Sequence, residues 1–136
     1  MHLNILLKRN NHQSNRVGAC VLRRLLVDLK DELGATFIGV IDESGLPIVN
    51  ESENQNPESV SAIASKLLVI LNEFSSDYLT DGITSFHIMG DEGLAHLSVL
   101  ENKGMLFIIT SKVHDLGLIN HKVNAIRSRI MALISE

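Results

Sequence analysis

Only one cysteine, Cys20, occurs in the 136 residues. One thiol cannot close an internal disulfide, and it cannot supply a zinc knuckle or a redox pair within one chain. The setting expected from this is reducing and cytoplasmic. Aromatic residues are nearly as scarce: four Phe, one Tyr and no Trp. Reading single-stranded nucleic acid by stacking needs aromatic platforms on strands, and this set supplies no interleaved row of them. No apolar run approaches the ~20 residues that cross a bilayer, so direct membrane insertion is not expected. The opening MHLNILLKRN carries its positive charges after its Ile5-Leu6-Leu7 patch and has no small-residue cleavage site. That order is not a secretory signal.

Catalytic signatures are missing as well. There is no G-x-S-x-G elbow for a nucleophilic serine, no G-x-x-x-x-G-K-[ST] and no strand-linked G-x-G-x-x-G for a nucleotide. The six histidines, His2, His12, His87, His96, His114 and His121, form no HExxH and no tight metal spacing. His87 and His96 are placed to lie side by side across a hairpin, but two ligands without a third do not hold zinc tightly. No catalytic residue, no cofactor and no metal are therefore expected. Elemental analysis of the purified protein should find no stoichiometric zinc, and stoichiometric zinc would contradict this reading.

What the chain does have is apolar content and clear periodicity. Hydrophobic residues make up 45% of it, enough for one domain to bury a core without disulfides. The net charge of −4 is uneven. Residues 1–30 hold Lys8, Arg9, Arg16, Arg23, Arg24 and Lys30 against Asp28 alone, six cations to one anion, which leaves the remainder strongly acidic. Most of these cations punctuate an apolar repeat and read as a solvated helix face, so no nucleic-acid partner is expected.

After a polar stretch, Asn10 to Asn15, the residues Val17, Val21, Leu22, Leu25, Leu26, Leu29 and Leu33 recur at three and four, predicting an amphipathic helix that stops at Gly34. Cys20 falls on its apolar side and is expected to be a small buried hydrophobe. Ala35 to Ile41 and Leu46 to Asn50 read as a hairpin around Asp42-Glu43-Ser44-Gly45. Paired carboxylates beside a hydroxyl can also hold a cation or do acid/base work. Two further strand links, Gly90 to Gly93 and Glu101 to Gly104, repeat the same mix of carboxylate or Asn with Gly, which is the chemistry of turns. Asn56-Pro57-Glu58 supplies an N-cap, a proline at the first helical position and an acid on the helix dipole. The helix that follows, to about Phe74, has an apolar arc of about 160°, wider than the stripe one buried face requires.

Three strands follow, Ile83 to Met89, Leu94 to Leu100 and Met105 to Ser111. A two-residue turn at Glu92-Gly93 sets Phe86 and Ile88 on one face with Ala95, Leu97 and Val99, and Ser85, His87 and Met89 on the other with His96 and Ser98. A last helix opens at Asp115 and carries the stripe Ile119, Val123, Ile126, Ile130, Leu133. Arg23, Arg24 and Arg127 are expected on the surface. The fold class is α+β, in the order helix-strand-strand-helix-strand-strand-strand-helix, with one five-stranded antiparallel sheet flanked by helices.

The element order, the GATFIGVIDESGLPIV hairpin, the N-P-E-S-V helix start and the V-H-D-L-G-L-I start of the last helix resemble the Roadblock family, the dynein light-chain type that includes the MglB proteins. The resemblance covers about residues 17–135. It leaves residues 1–16 as an N-terminal extension of unknown role beside a single domain, 17–136. It implies a profilin-like α/β sandwich that dimerises, as a homodimer or with a paralogue, through its second helix and third strand. It also implies a non-enzymatic scaffold or regulator of a small Ras-like GTPase. The wide arc and the third strand, which has no proline or lysine to guard its edge, place that interface at Ile63, Leu67, Ile70, Phe74, Ser85, His87 and Met89, with Val60, Ala64, Leu68 and Leu71 left for the sheet. The alternative is a PAS- or GAF-like sensing module, which needs a ligand pocket lined by aromatics.

Overall fold

The structure, a computed structural model, describes residues 2–78, 84–101, 103–111 and 116–135, with side chains from Val17 onward. Its elements are α1 (His2–Leu33), β1 (Ala35–Ile41), β2 (Pro47–Ser52), α2 (Pro57–Tyr78), β3 (Ser85–Met89), β4 (Leu94–Val99), β5 (Met105–Thr110) and α3 (Leu116–Ser135). The five strands form one antiparallel sheet in the order β2-β1-β5-β4-β3, so β2 and β3 are its edges.

Period-two alternation sends the strand side chains to two separate cores. Ile38, Val40, Leu106 and Ile108 pack with Leu22, Leu26, Leu29 and Leu33 of α1 and with Ile119, Val123 and Ile130 of α3. Phe37, Ile41, Leu97, Met105 and Phe107 pack on the opposite face around Ala64 of α2. There Phe37 and Phe107 meet edge to face, with ring centroids 6.1 Å apart. Two helices therefore cover one face, and α2 alone covers the other.

The acidic run after β1 is a turn. One Asp42 carboxylate oxygen, Oδ1, accepts the backbone N–H groups of Ser44 (2.8 Å) and Leu46 (2.9 Å). Gly45 holds φ at +86°, where a Cβ would also run into Ser65 of α2. Gly104, at φ +135°, lets its link pass against the Ile41 carbonyl. Asn56 caps α2 through its Oδ1, which accepts from Glu58 N at 3.0 Å.

Several boundaries differ from the sequence reading. α1 begins at His2 rather than near Val17, so the polar Asn10–Asn15 stretch is helical. Cys20 is exposed rather than buried. It lies two residues before Leu22, some 200° around the helix, which turns it away from the buried stripe. Val17 and Val21 are exposed too. α2 continues past Phe74 to Tyr78, and β2 starts at Pro47, leaving Leu46 exposed in the turn. The β3–β4 turn centres on Asp91-Glu92, closed by Gly90 N to Gly93 O at 2.8 Å, not on Glu92-Gly93. The pairing shifts by two residues, and the faces are unchanged. Ile83, His114 and the proposed N-cap Asp115 lie outside the described residues.

The turn geometry separates its two carboxylates. Asp42→Ala should lower stability by about 1 kcal/mol through lost hydrogen bonds, while Glu43→Ala should stay within about 0.5 kcal/mol. Urea unfolding of the two variants checks this, and equal losses would contradict it.

Candidate functional site: the second helix and the free sheet edge

Three of the four buried residues on α2 are small. Ser61, Ala64, Leu71 and Ser75 are buried, with Val60, Leu67 and Leu68 packed around the same cluster. Small side chains let the helix backbone approach the strands closely. Beside that buried line runs a second apolar line at spacings of four, three and four. Ile63 (57% exposed), Ile70 (59%) and Phe74 (52%) lie open, and Leu67 bridges the two lines. Phe74 stacks on Tyr78 at 5.0 Å. Leu67 thus packs on the sheet cluster, while the other three expected interface residues of α2 face outward.

The third strand adds an open edge. Gly90 pairs with Gly93, and Val99 N donates to Thr84 O at 2.9 Å, which makes these the hydrogen-bonded pairs of the β3–β4 ladder. By alternation, the backbone groups of Ser85, His87 and Met89 point away from β4. No residue of β3 is proline or lysine. The side chains of these same three residues lie on the α1/α3 face, opposite α2, with Ser85 and His87 half-buried and Met89 exposed. The seven expected interface residues therefore sit on both faces of the sheet, four on the α2 side and three on the α1/α3 side. Sequence reasoning missed Ile88, an exposed apolar residue at that edge on the α2 face. Its signal was its alternation with Phe86.

His87 and His96 face each other across β3 and β4, with ring centroids 4.5 Å apart. His96 is 1% exposed, and neither of its ring nitrogens has a hydrogen-bond partner; the same holds for His87 Nε2. Burial, and then the neighbouring His87, push the His96 imidazole down from 6.5 to about 4. It is neutral at physiological pH. Among the described residues no three His, Cys, Asp or Glu come together as a metal site.

Arg127 is half-buried rather than free on the surface, and its Nη2 donates to the Val99 carbonyl. Arg23 pairs with Glu51 at 3.4 Å and Arg24 with Asp28 at 3.7 Å. Arg127 lines a pocket of about 200 Å³ with Thr84, Ser85, Ser98, Asn120, Val123 and Asn124. Larger depressions of about 440, 370 and 300 Å³ border α3, and among the described residues none of the four is lined by Phe, Tyr or Trp. Among the described residues no helix is long and apolar enough to cross a membrane.

The His96 imidazole gives a pH prediction. Unfolding lets it bind a proton between pH 6.5 and about 4, so stability is fully present above pH 6.5 and falls as pH drops through that window. His96→Leu, which removes the unpartnered ring nitrogens, should be as stable as the parent or more so, with a flatter stability profile from pH 6.5 to 4. An unchanged profile would contradict the assignment.

No family model and no curated protein matches the sequence. Solved structures do match the fold. Myxococcus xanthus MglB superposes with a TM-score of 0.76 at 11% identity, over 84% of this chain and 87% of that one. The gliding protein MglB from Thermus thermophilus gives 0.78 at 9% identity, over 87% and 91%. A Roadblock/LC7 domain from Streptomyces avermitilis gives 0.75 at 12% identity, over 84% and 98%. Three helices on one five-stranded antiparallel sheet, with α2 alone on one face, are the fold of the Roadblock/LC7 and MglB structures, and this chain has that Roadblock-family fold.

Proposed function

We propose that the protein is a non-enzymatic, dimeric scaffold or regulator that binds a small Ras-like GTPase in the cytoplasm and modulates its nucleotide state or location. The dimer is built from two copies of this chain or from this chain and a paralogue. The observation that carries the reading is a sheet edge, β3, with three residues' backbone groups unpaired, in a chain that also exposes the apolar line Ile63, Ile70 and Phe74 on α2. A second copy laid along that edge covers the apolar line and bonds the strand in one step. The shared fold with MglB structures, one of them described as having a tetrameric arrangement, supports an assembling module. The GTPase rests on the Roadblock resemblance.

A PAS- or GAF-like sensor is the second reading. It calls for a pocket walled by aromatics against the sheet, and among the described residues the three depressions bordering α3 are lined by no Phe, Tyr or Trp. An absorbance scan and mass spectrum of the purified protein separate the two, since a retained small molecule favours the sensor.

Burying one side chain of the α2 line is worth roughly 1.5–3 kcal/mol, and a symmetric interface uses it twice. Ile70→Asp should therefore convert a dimer to a folded monomer, read by light scattering together with circular dichroism. A wild type that is monomeric at micromolar concentration, or a variant that stays dimeric, would overturn the surface. A pull-down on GTP- and GDP-loaded small GTPases tests the partner, with retention of one nucleotide state over the other expected and no retention contradicting it.

A further inference from the structure

The outward backbone groups and the charges near β3 both select one register for the self-paired edge. We propose, on the reading that two copies pair through β3, that the two-fold axis passes through His87, so that the partner subunit's His87 lies opposite His87 and the partner's Asp91 reaches the pocket that holds Arg127.

The backbone argument comes first. A strand pairing with its own copy about a two-fold axis sets residue i opposite a residue at constant sum. Ser85, His87 and Met89 are the residues whose N–H and C=O groups point outward. An axis through His87 bonds all three, with Ser85 opposite the partner's Met89. An axis through Phe86 or Ile88 leaves one of the three without a partner within the described strand, Ser85–Met89. On the α1/α3 face this register makes a row of four imidazoles, His96, His87, the partner's His87 and the partner's His96. Cα separations in such a ladder alternate between about 4.5 and 5.5 Å. The four therefore form a line and do not converge on one point as tetrahedral zinc requires.

Charge supplies the second argument. With Ser85 opposite the partner's Met89, Thr84 faces the partner's Gly90, and the partner's Asp91-Glu92 turn follows at the end of the ladder. Among the described residues, Thr84 and Ser85 line a pocket whose only charged side chain is Arg127, with Asn120 and Asn124 as further polar groups and no carboxylate. Asp91 and Glu92 are exposed, and among the described residues neither forms an ion pair within its own chain. Among the described residues, the register brings an unpaired anion to a pocket whose one cation is otherwise bonded only to a carbonyl.

Single cysteines in a Cys20→Ser background test the register. An antiparallel hydrogen-bonded pair has Cα atoms about 5.5 Å apart, inside the range a disulfide bridges. His87→Cys should form a covalent dimer under mild oxidation. Ser85→Cys alone should not, because its copy is four residues away along the ladder, about 13 Å, whereas Ser85→Cys with Met89→Cys in one chain should cross-link. For the charge pair, Asp91→Lys should weaken the dimer about tenfold by sedimentation equilibrium, and adding Arg127→Glu should recover part of that loss. A wild-type dimer in which Ser85→Cys cross-links and His87→Cys does not would overturn the register and leave the dimer standing. Failure of the charge swap to recover affinity would overturn the Asp91–Arg127 contact, and a wild type that is monomeric would overturn both this register and the dimer beneath it.

Discussion

A sheet with apolar side chains on both faces must have both covered and its edges managed, and among the described residues β3 is the edge left open. Its companion edge, β2, is flanked by the acidic turn at Asp42 and by the Arg23–Glu51 pair. β3 also ends in an acidic turn, Asp91-Glu92, but the strand itself contains neither a proline nor a charged residue, whereas β2 contains Pro47 and Glu51. An unpaired N–H or C=O in water costs little, but a row of them on a strand that also exposes Ile88 and Met89 is a template for another strand. The asymmetry of the helices follows the same logic. α1 and α3 close one face with a large leucine and isoleucine core, while α2, alone on the other, retains an apolar line that its own sheet does not reach.

Much of this was legible in residue patterns. Element order, the three hairpin links and the capped start of α2 follow from periodicity and turn chemistry, because each element obeys one dominant rule. The pairing of His87 with His96 survived a misplaced turn for a simple reason: a shift of two residues preserves which side chains share a face. Gly90-Asp91-Glu92-Gly93 contains two plausible turn centres, and local propensity favours the x-Gly pair, while the structure uses the one that brings the two glycines opposite each other.

What stayed hidden depended on phase and on partners. Cys20 reads as apolar by type, yet its angular position relative to Leu22 and Leu26 sets it outside the stripe. Asn10 to Asn15 has no apolar repeat, so the continuation of α1 back to His2 has no burial signal to announce it. On α2, both flanks are apolar, and hydrophobicity alone does not say which faces the sheet. The deciding signal is the run of small residues Ser61, Ala64 and Ser75, which marks where a helix backbone lies close to strands. Arg127 was read as a surface charge because nothing local reveals that Val99 presents a carbonyl to it.

The account turns on whether the outward groups of β3 are bonded to a second copy in solution. Amide hydrogen exchange, followed as a function of protein concentration, reads those groups directly. The account predicts that the N–H groups of Ser85, His87 and Met89 are protected at concentrations where the protein is dimeric and exchange freely on dilution, while those of Phe86 and Ile88, bonded within the chain, stay protected throughout. Fast exchange at Ser85, His87 and Met89 at every concentration would contradict it.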